Sequence, residues 1–474
     1  MPRFSVPPCR FAVAVMATLL LLLAPLAAQA EGWHTAKPVE FRLDNGLQVV
    51  LIADHRAPVV THSIWYKVGA TDDPPHSHGL AHFLEHMMFK GTDRFPAGVF
   101  NEVVSRIGGV QNAVTTDSYT YYFQIVPKAH LAQMMEMEAD RMTNLRMNES
   151  EVASERTVIL QERRGSIDDN FKRRLFINVY KALYGDHVLS TDLIGSQEEI
   201  LAFSREDALA FYHRHYAPGN AVLVIAGDVT EAELRALLEQ TYARIPASDV
   251  PKDRPVLAPL PPLTGHAVSI TDPHVGNPIA WLVYRLPGLQ HMQFRELASL
   301  SILSRILGSD TGRMRKSMVL TGIALEASSD LDAGFACRFT LGANSTDTSS
   351  LTKVEEGLKR TVAELIEKGV TQEELDLERA DYMAAEIYRL DYQSLLAVKY
   401  GGGLMVGLTL ENQARWIDEI KAVGVEDINA VARKYLVEPM RVTAEAWPAS
   451  AGPTSASSPV ADGSAPSSAA GGVK

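Results

Sequence analysis

Apolar residues along this chain fall into short continuous runs and helical stripes, and the same order of elements occurs twice. Glu206-Asp207 opens a stretch with apolar residues three and four apart that closes near Tyr216, and the run Ala221–Ala226 follows. The first reads as an amphipathic helix, the second as a buried strand. About 220 residues later the pair returns: Glu426-Asp427 opens a helix ending near Tyr435, and Met440–Ala446 reads as the matching strand. The starts correspond as well. Gly46-Leu47-Gln48-Val49-Val50 is matched by Gly265-His266-Ala267-Val268-Ser269, each followed by a turn, a proline (Pro58 or Pro278) and another apolar strand. An offset held at both ends predicts a duplicated α+β unit, two homologous α/β-sandwich domains with an antiparallel-rich sheet packed by helices in each.

Between the copies lies a proline-rich stretch that includes Pro251, Pro255, Pro259 and Pro261. Prolines at that density stop helices and make a stiff connector. The predicted division is 31–246, a linker at 247–264, and 265–447. Beyond Trp447 the chain is mostly Ser, Ala, Pro and Gly. It offers too little apolar surface to offset ordering, so 448–474 reads as a disordered tail. At the other end, Arg3 and Arg10 precede an apolar run, Phe11–Leu26, and Ala28-Gln29-Ala30 has the small-x-small form of a processing site. Residues 1–30 are therefore expected to be a signal peptide cut after Ala30, delivering the product to a periplasm or the exterior. No later segment is apolar for long enough to cross a bilayer.

Composition narrows the partners. A net charge of −12 argues against nucleic acid or an anionic membrane surface. Of two cysteines, Cys9 leaves with the signal, so Cys337 has no partner for an internal disulfide. Met134-Met135-Glu136-Met137 reads as helix core, and His76, His78, His213 and His215 as surface or packing residues.

The chemistry centres on His82-Phe83-Leu84-Glu85-His86. Residues four apart share a helix face, so His82 and His86 can reach one ion. Glu85 beside them is placed to act as a proton acceptor. The order H-x-x-E-H marks the inverzincin peptidases. A catalytic zinc needs a third protein ligand, and the candidate segment is Asn148 to Arg163. Asn148 and Glu151 have capping-box spacing, Val152, Val158 and Ile159 suit one buried side, and Glu155 and Glu162 lie two turns apart on one face. At the equivalent of His82–His86 the second copy carries Ser301-Ile302-Leu303-Ser304-Arg305, where no ligand survives.

These residues resemble the pitrilysin and insulinase type of zinc peptidase, which also includes mitochondrial processing peptidase. The resemblance runs from about Val39 to Trp447 and is most specific between Gly79 and Glu162. It implies half of a clam-shell peptidase with a Zn2+ cofactor. It further implies a third ligand about 76 residues beyond the second histidine, which falls on Glu162 (162 − 86 = 76), and a supporting carboxylate at Glu155. Gly108–Thr116 matches the family's substrate-pairing edge strand, which makes Asn112 and Ala113 expected substrate contacts, together with Phe83 inside the motif. The family's active members also carry an Arg and, seven residues on, a Tyr. Here Met318 and Leu325 stand at those positions, and neither donates a hydrogen bond. The resemblance therefore implies a zinc-bearing subunit whose homologous partner, in a heterodimer, supplies both groups. The competing expectations are a self-sufficient homodimer and a non-catalytic assembly subunit.

Overall fold

The computed structural model describes residues 37–248 and 257–450. The expected signal segment, part of the linker and nearly all of the expected tail lie outside the described residues. The first half runs β1 (Val39–Arg42), β2 (Gln48–Ala53), β3 (Val59–Tyr66), α1 (Leu80–Met87), β4 (Val110–Thr115) and β5 (Thr120–Pro127). It continues through α2 (Leu131–Asn144), α3 (Glu149–Arg163), α4 (Phe171–Tyr184), α5 (Arg205–His215) and β6 (Ala221–Gly227). The second half begins with β7 (Ala267–Asp272), β8 (Ile279–Arg285), α6 (Phe294–Gly308), β9 (Ala324–Asp332) and β10 (Arg338–Ser345). It ends with α7 (Leu351–Lys368), α8 (Gln372–Arg389), α9 (Gln393–Met405), α10 (Val425–Tyr435) and β11 (Arg441–Pro448).

Each half builds one sheet, and the two sheets share a topology. The first has strand order β1-β2-β6-β3-β5-β4 and the second β7-β11-β8-β10-β9. In each, one pair is parallel, with Gln48 opposite Val222 in one and Ala267 opposite Thr443 in the other, and the remaining pairs are antiparallel. The duplication read from the spacing is thus present in three dimensions. The helix predicted after Glu206 is α5 and the one after Glu426 is α10.

Strand alternation shows what covers each face. Val49, Leu51, Ile64, Leu223 and Ile225 point into the main core of the first half with Phe83 and Leu84 of α1. Their neighbours Val50, Ile52, Trp65, Val222 and Val224 point the other way, onto Leu396, Ala397 and Tyr400 of α9, which belongs to the second half of the chain. The second sheet is arranged reciprocally: Ile279, Trp281 and Val283 pack on Leu175, Val179 and Leu183 of α4, from the first half. The helices α4 and α9 occupy equivalent places in the duplicated order, so the two units have exchanged them. Both faces of β6 and β8 are covered, so every residue of each is buried, whereas β5 alternates because only one of its faces is packed.

The Met-rich segment is core, with Met134, Met135 and Met137 at most 1% exposed. Cys337 is buried without a disulfide, and burial pushes its thiol up to about 11. No described helix is long and apolar enough to cross a membrane.

Candidate metal centre

Helix α1 has two faces because of its spacing. Leu80, Phe83, Leu84 and Met87 recur three and four apart and are at most 1% exposed, which leaves His82, Glu85 and His86 on the opposite side. Its start is held from outside the helix. Gly79 and Ala81 donate their amides to the two oxygens of Asp73, at 2.7 and 2.8 Å, the work an N-cap side chain ordinarily does. Burial pushes the Asp73 carboxyl up to about 7, against the pull of those amides. Gly79 has φ +91°, and a Cβ there would lie 2.0 Å from the Ile194 carbonyl oxygen, so only glycine lets the helix start against that loop. Helix α3 begins with the expected Asn148/Glu151 capping box and buries Val152, Glu155 and Ile159. Val158, expected on the buried side, is 42% exposed.

The two helices bring His82, His86 and Glu162 together, with one donor atom of each within 4.8 Å of the others. His82 Nε2 is 3.6 Å from one Glu162 oxygen and His86 Nε2 is 3.2 Å from the other. A tetrahedral zinc bonded at about 2.0–2.1 Å sets donor–donor edges of about 3.4 Å, close to both of these nitrogen–oxygen separations, and two imidazoles with a carboxylate are a donor set such an ion takes. The imidazole rings meet edge-on with centroids 4.7 Å apart. Glu155 accepts from His86 Nδ1 at 2.9 Å and pairs with Lys90. That contact leaves the other ring nitrogen of His86 facing Glu162.

Electrostatics separate the two histidines. Burial, then the neighbouring His86, depresses His82 to about 4, so it is neutral and ready to donate a lone pair. Burial also works against the charge of His86, but Glu155 and Glu162 outweigh it and raise this imidazole to about 9. Burial likewise opposes the charge of Glu155, yet its hydrogen bonds to His86 and Lys90 hold it below the usual carboxylate range. Glu162 is lowered first by its hydrogen bond to His86. Burial raises Glu85, partly offset by a hydrogen bond from Thr115 Oγ1 at 2.5 Å. A raised carboxyl suits a group that must take up and release a proton.

Beside this cluster, β4 forms the outer edge of the sheet. Thr116 N–H donates to Tyr119 O, so the even-numbered residues of β4 bond to β5 and the odd-numbered ones face the open edge. Asn112 is exposed, and its side-chain oxygen accepts from the Ala113 amide at 2.9 Å. Phe83 requires correction as a substrate contact. It is fully buried, with its ring 5.2 Å from that of Phe203, because its position repeats with Leu80, Leu84 and Met87 and turns it to the core. Met318 is buried, Leu325 is exposed at the start of β9, and Arg313 is bound to Glu374 and the Gly369 carbonyl. His78 pairs with Glu199 at 2.6 Å and the His215 ring lies 4.5 Å from Phe211, as packing roles require.

Sequence reasoning missed Asp73, Lys90 and Thr115. Lys90 was accessible, being four residues after His86 on the same side. No local spacing ties Asp73 to the helix start or Thr115 to Glu85.

Residues 48–197 match the family model for insulinase (peptidase family M16), and residues 202–382 match the model for the peptidase M16 inactive domain. The chain belongs to this peptidase family. The first model stops short of α5 and of β6, the strand that completes the first sheet. A zinc protease named PqqE from Helicobacter pylori is 27% identical over 444 residues, 90% of this chain and 95% of that one. A crystal structure of a protease from Helicobacter pylori superposes with a TM-score of 0.81 at 26% identity, covering 88% of this chain and all of the other. The periplasmic protease PqqL from Escherichia coli matches with a TM-score of 0.74 at 20% identity over 87% of this chain, but only 48% of its own length.

Proposed function

We propose that the chain is an exported zinc-dependent endopeptidase, acting on oligopeptides or small unfolded polypeptides as the metal-bearing subunit of a heterodimer. The observation that carries this reading is the convergence of His82, His86 and Glu162, one donor atom of each within 4.8 Å of the others, with Glu85 on the same helix face. His82, His86 and Glu162 would hold the ion, with Glu155 fixing the His86 ring. When bound, zinc supplies a Lewis acid for the peptide carbonyl and makes water acidic enough to attack near neutral pH. Glu85 takes the proton from the attacking water and returns it to the leaving amine. The open edge of β4 pairs with an extended peptide through main-chain hydrogen bonds, which need no particular substrate sequence. Asn112 Oδ1 caps the Ala113 amide on that edge and would have to release it for a strand to pair there.

The partner is argued from two features. Met318 and Leu325 leave this chain without the Arg and Tyr implied for active relatives. The chain also spans about half of PqqL, so that protein carries about one further unit's length in the same polypeptide. PqqL is described as periplasmic, which agrees with a signal cleaved after Ala30. The test is zinc analysis of the purified mature chain with a chelator-sensitive peptide assay, alone and with a homologous subunit, for wild type and Glu85→Gln. Zinc retained and cleavage lost in Glu85→Gln is the expected result. Absence of zinc, or cleavage indifferent to the substitution, overturns the reading. Full activity alone, with no gain from any partner, removes the heterodimer.

A further inference from the structure

We propose that Thr115 is a positioning residue that holds the Glu85 carboxylate at the end of the β4 edge, linking the base to the strand that receives the peptide. This rests on reading Glu85 as the general base. Thr115 Oγ1 donates to Glu85 Oε2 at 2.5 Å. The Thr115 amide also acts on the same group. By the alternation of β4, Thr115 is odd-numbered, so its N–H points to the open edge. Glu85 therefore sits where an added strand would run out of β4 to pair with.

The hydroxyl is itself buried. Thr115 is 8% exposed and lies across the hairpin from Thr120, whose Oγ1 is 3.3 Å away. The Thr120 proton goes to the Val68 carbonyl at 3.0 Å, so the choice for the single Thr115 proton is between Thr120 at 3.3 Å and the Glu85 carboxylate at 2.5 Å, and the shorter contact to the stronger acceptor takes it. Valine matches threonine in shape but brings no donor, which makes Thr115→Val the direct probe, and Thr115→Ser restores the donor.

The experiment measures kcat and KM on an internally quenched peptide, zinc content, and crystal structures of the metal-free protein, for wild type and both variants. A misplaced base costs about 10- to 100-fold in rate. Thr115→Val is expected to keep its zinc and its KM within twofold while kcat falls by that factor, and Thr115→Ser to recover most of it. In metal-free crystals the Glu85 carboxylate is expected to leave its place in Thr115→Val and keep it in Thr115→Ser. Wild-type kcat in Thr115→Val, equal impairment of both variants, or an unmoved carboxylate in Thr115→Val overturns the proposal. If the wild-type holoprotein cleaves no peptide, the proposed function fails separately, and the crystals still decide whether Thr115 holds Glu85.

Discussion

Replacing Glu155 by Gln removes one charge and almost no volume, which makes it a clean probe of how the helix pair holds an ion. Glu155 is 6% exposed, accepts from His86 Nδ1 at 2.9 Å and pairs with Lys90. Gln keeps an acceptor oxygen in the same place, so the His86 ring stays oriented. What changes is the strength of that bond. A hydrogen bond to a charged group contributes about 1.5–3 kcal/mol and a neutral one about 0.5–1.5, a difference of roughly 1–1.5 kcal/mol. Lys90 then stands unneutralised near a dication, which brings the total to about 2 kcal/mol, or roughly 30-fold in zinc affinity. That lies within the 10- to 100-fold range common for residues that orient metal-bound histidines. The assay is competition for zinc against a chelator of known affinity, at fixed pH and salt, with circular dichroism confirming the fold. Affinity within twofold of wild type would refute the idea that the Glu155 charge reaches the ion through His86.

Three further outcomes are expected. In the metal-free protein His86 is raised to about 9 and must lose its proton to bind zinc, so affinity should climb about tenfold per pH unit from 6.5 to 8.5 and then level. Calorimetry in buffers of different ionisation enthalpy should find about one proton released, and a flat pH profile would contradict the assignment. Asp73→Asn leaves one amide of the α1 start facing an NH2 group, and it should cost about 1–2 kcal/mol in urea denaturation of the metal-free chain. An unchanged midpoint would mean that the helix start is fixed by other contacts. Leu175→Ala empties a fully buried site where α4 meets the second sheet and should cost about 2–5 kcal/mol. Calorimetry should show the whole chain melting earlier in one transition, whereas a first-half transition left in place would show that the exchanged helices do not couple the units.

Elements whose evidence is local were readable from the chain. The two faces of α1 and the capping box of α3 each follow from spacing within a dozen residues, and the matched helix-strand pairs from runs of about twenty compared at one offset. The exchange of α4 and α9 was not readable, because an amphipathic stripe says that a face is buried and not what buries it. Helix α9 also carries Gly401-Gly402-Gly403, which reads as a break. In the fold the glycine is needed: a Cβ on Gly401 would lie 2.2 Å from the Trp65 ring, so its absence lets α9 press onto the first sheet. Phe83 was misassigned for the opposite reason. Its place in the motif outweighed a periodicity that already turned it inward.

The half without the candidate metal residues closes its equivalent helix pair by other means. At an offset of 219 residues His86 corresponds to Arg305, Glu155 to Glu374 and Glu162 to Asp381, and the last two lie on α8 as their counterparts lie on α3. Arg305 is paired with Asp381, so a guanidinium ties α6 to α8 where His86 and Glu162 face each other between α1 and α3. Glu378, 2% exposed, stands beside that pair and takes the hydroxyls of Ser309 and Thr311 at 2.6 Å each. One half therefore closes its helix pair with a permanent cation. In the other, the raised pKa of His86 lets a proton supply the positive charge, which a bound ion would replace under the proposed function. Both helix pairs are then held by a cation between carboxylates, and only one of those cations can be exchanged. For that reason the first half should be folded and preformed before metal arrives, with binding appearing as a proton-for-zinc exchange rather than as coupled folding.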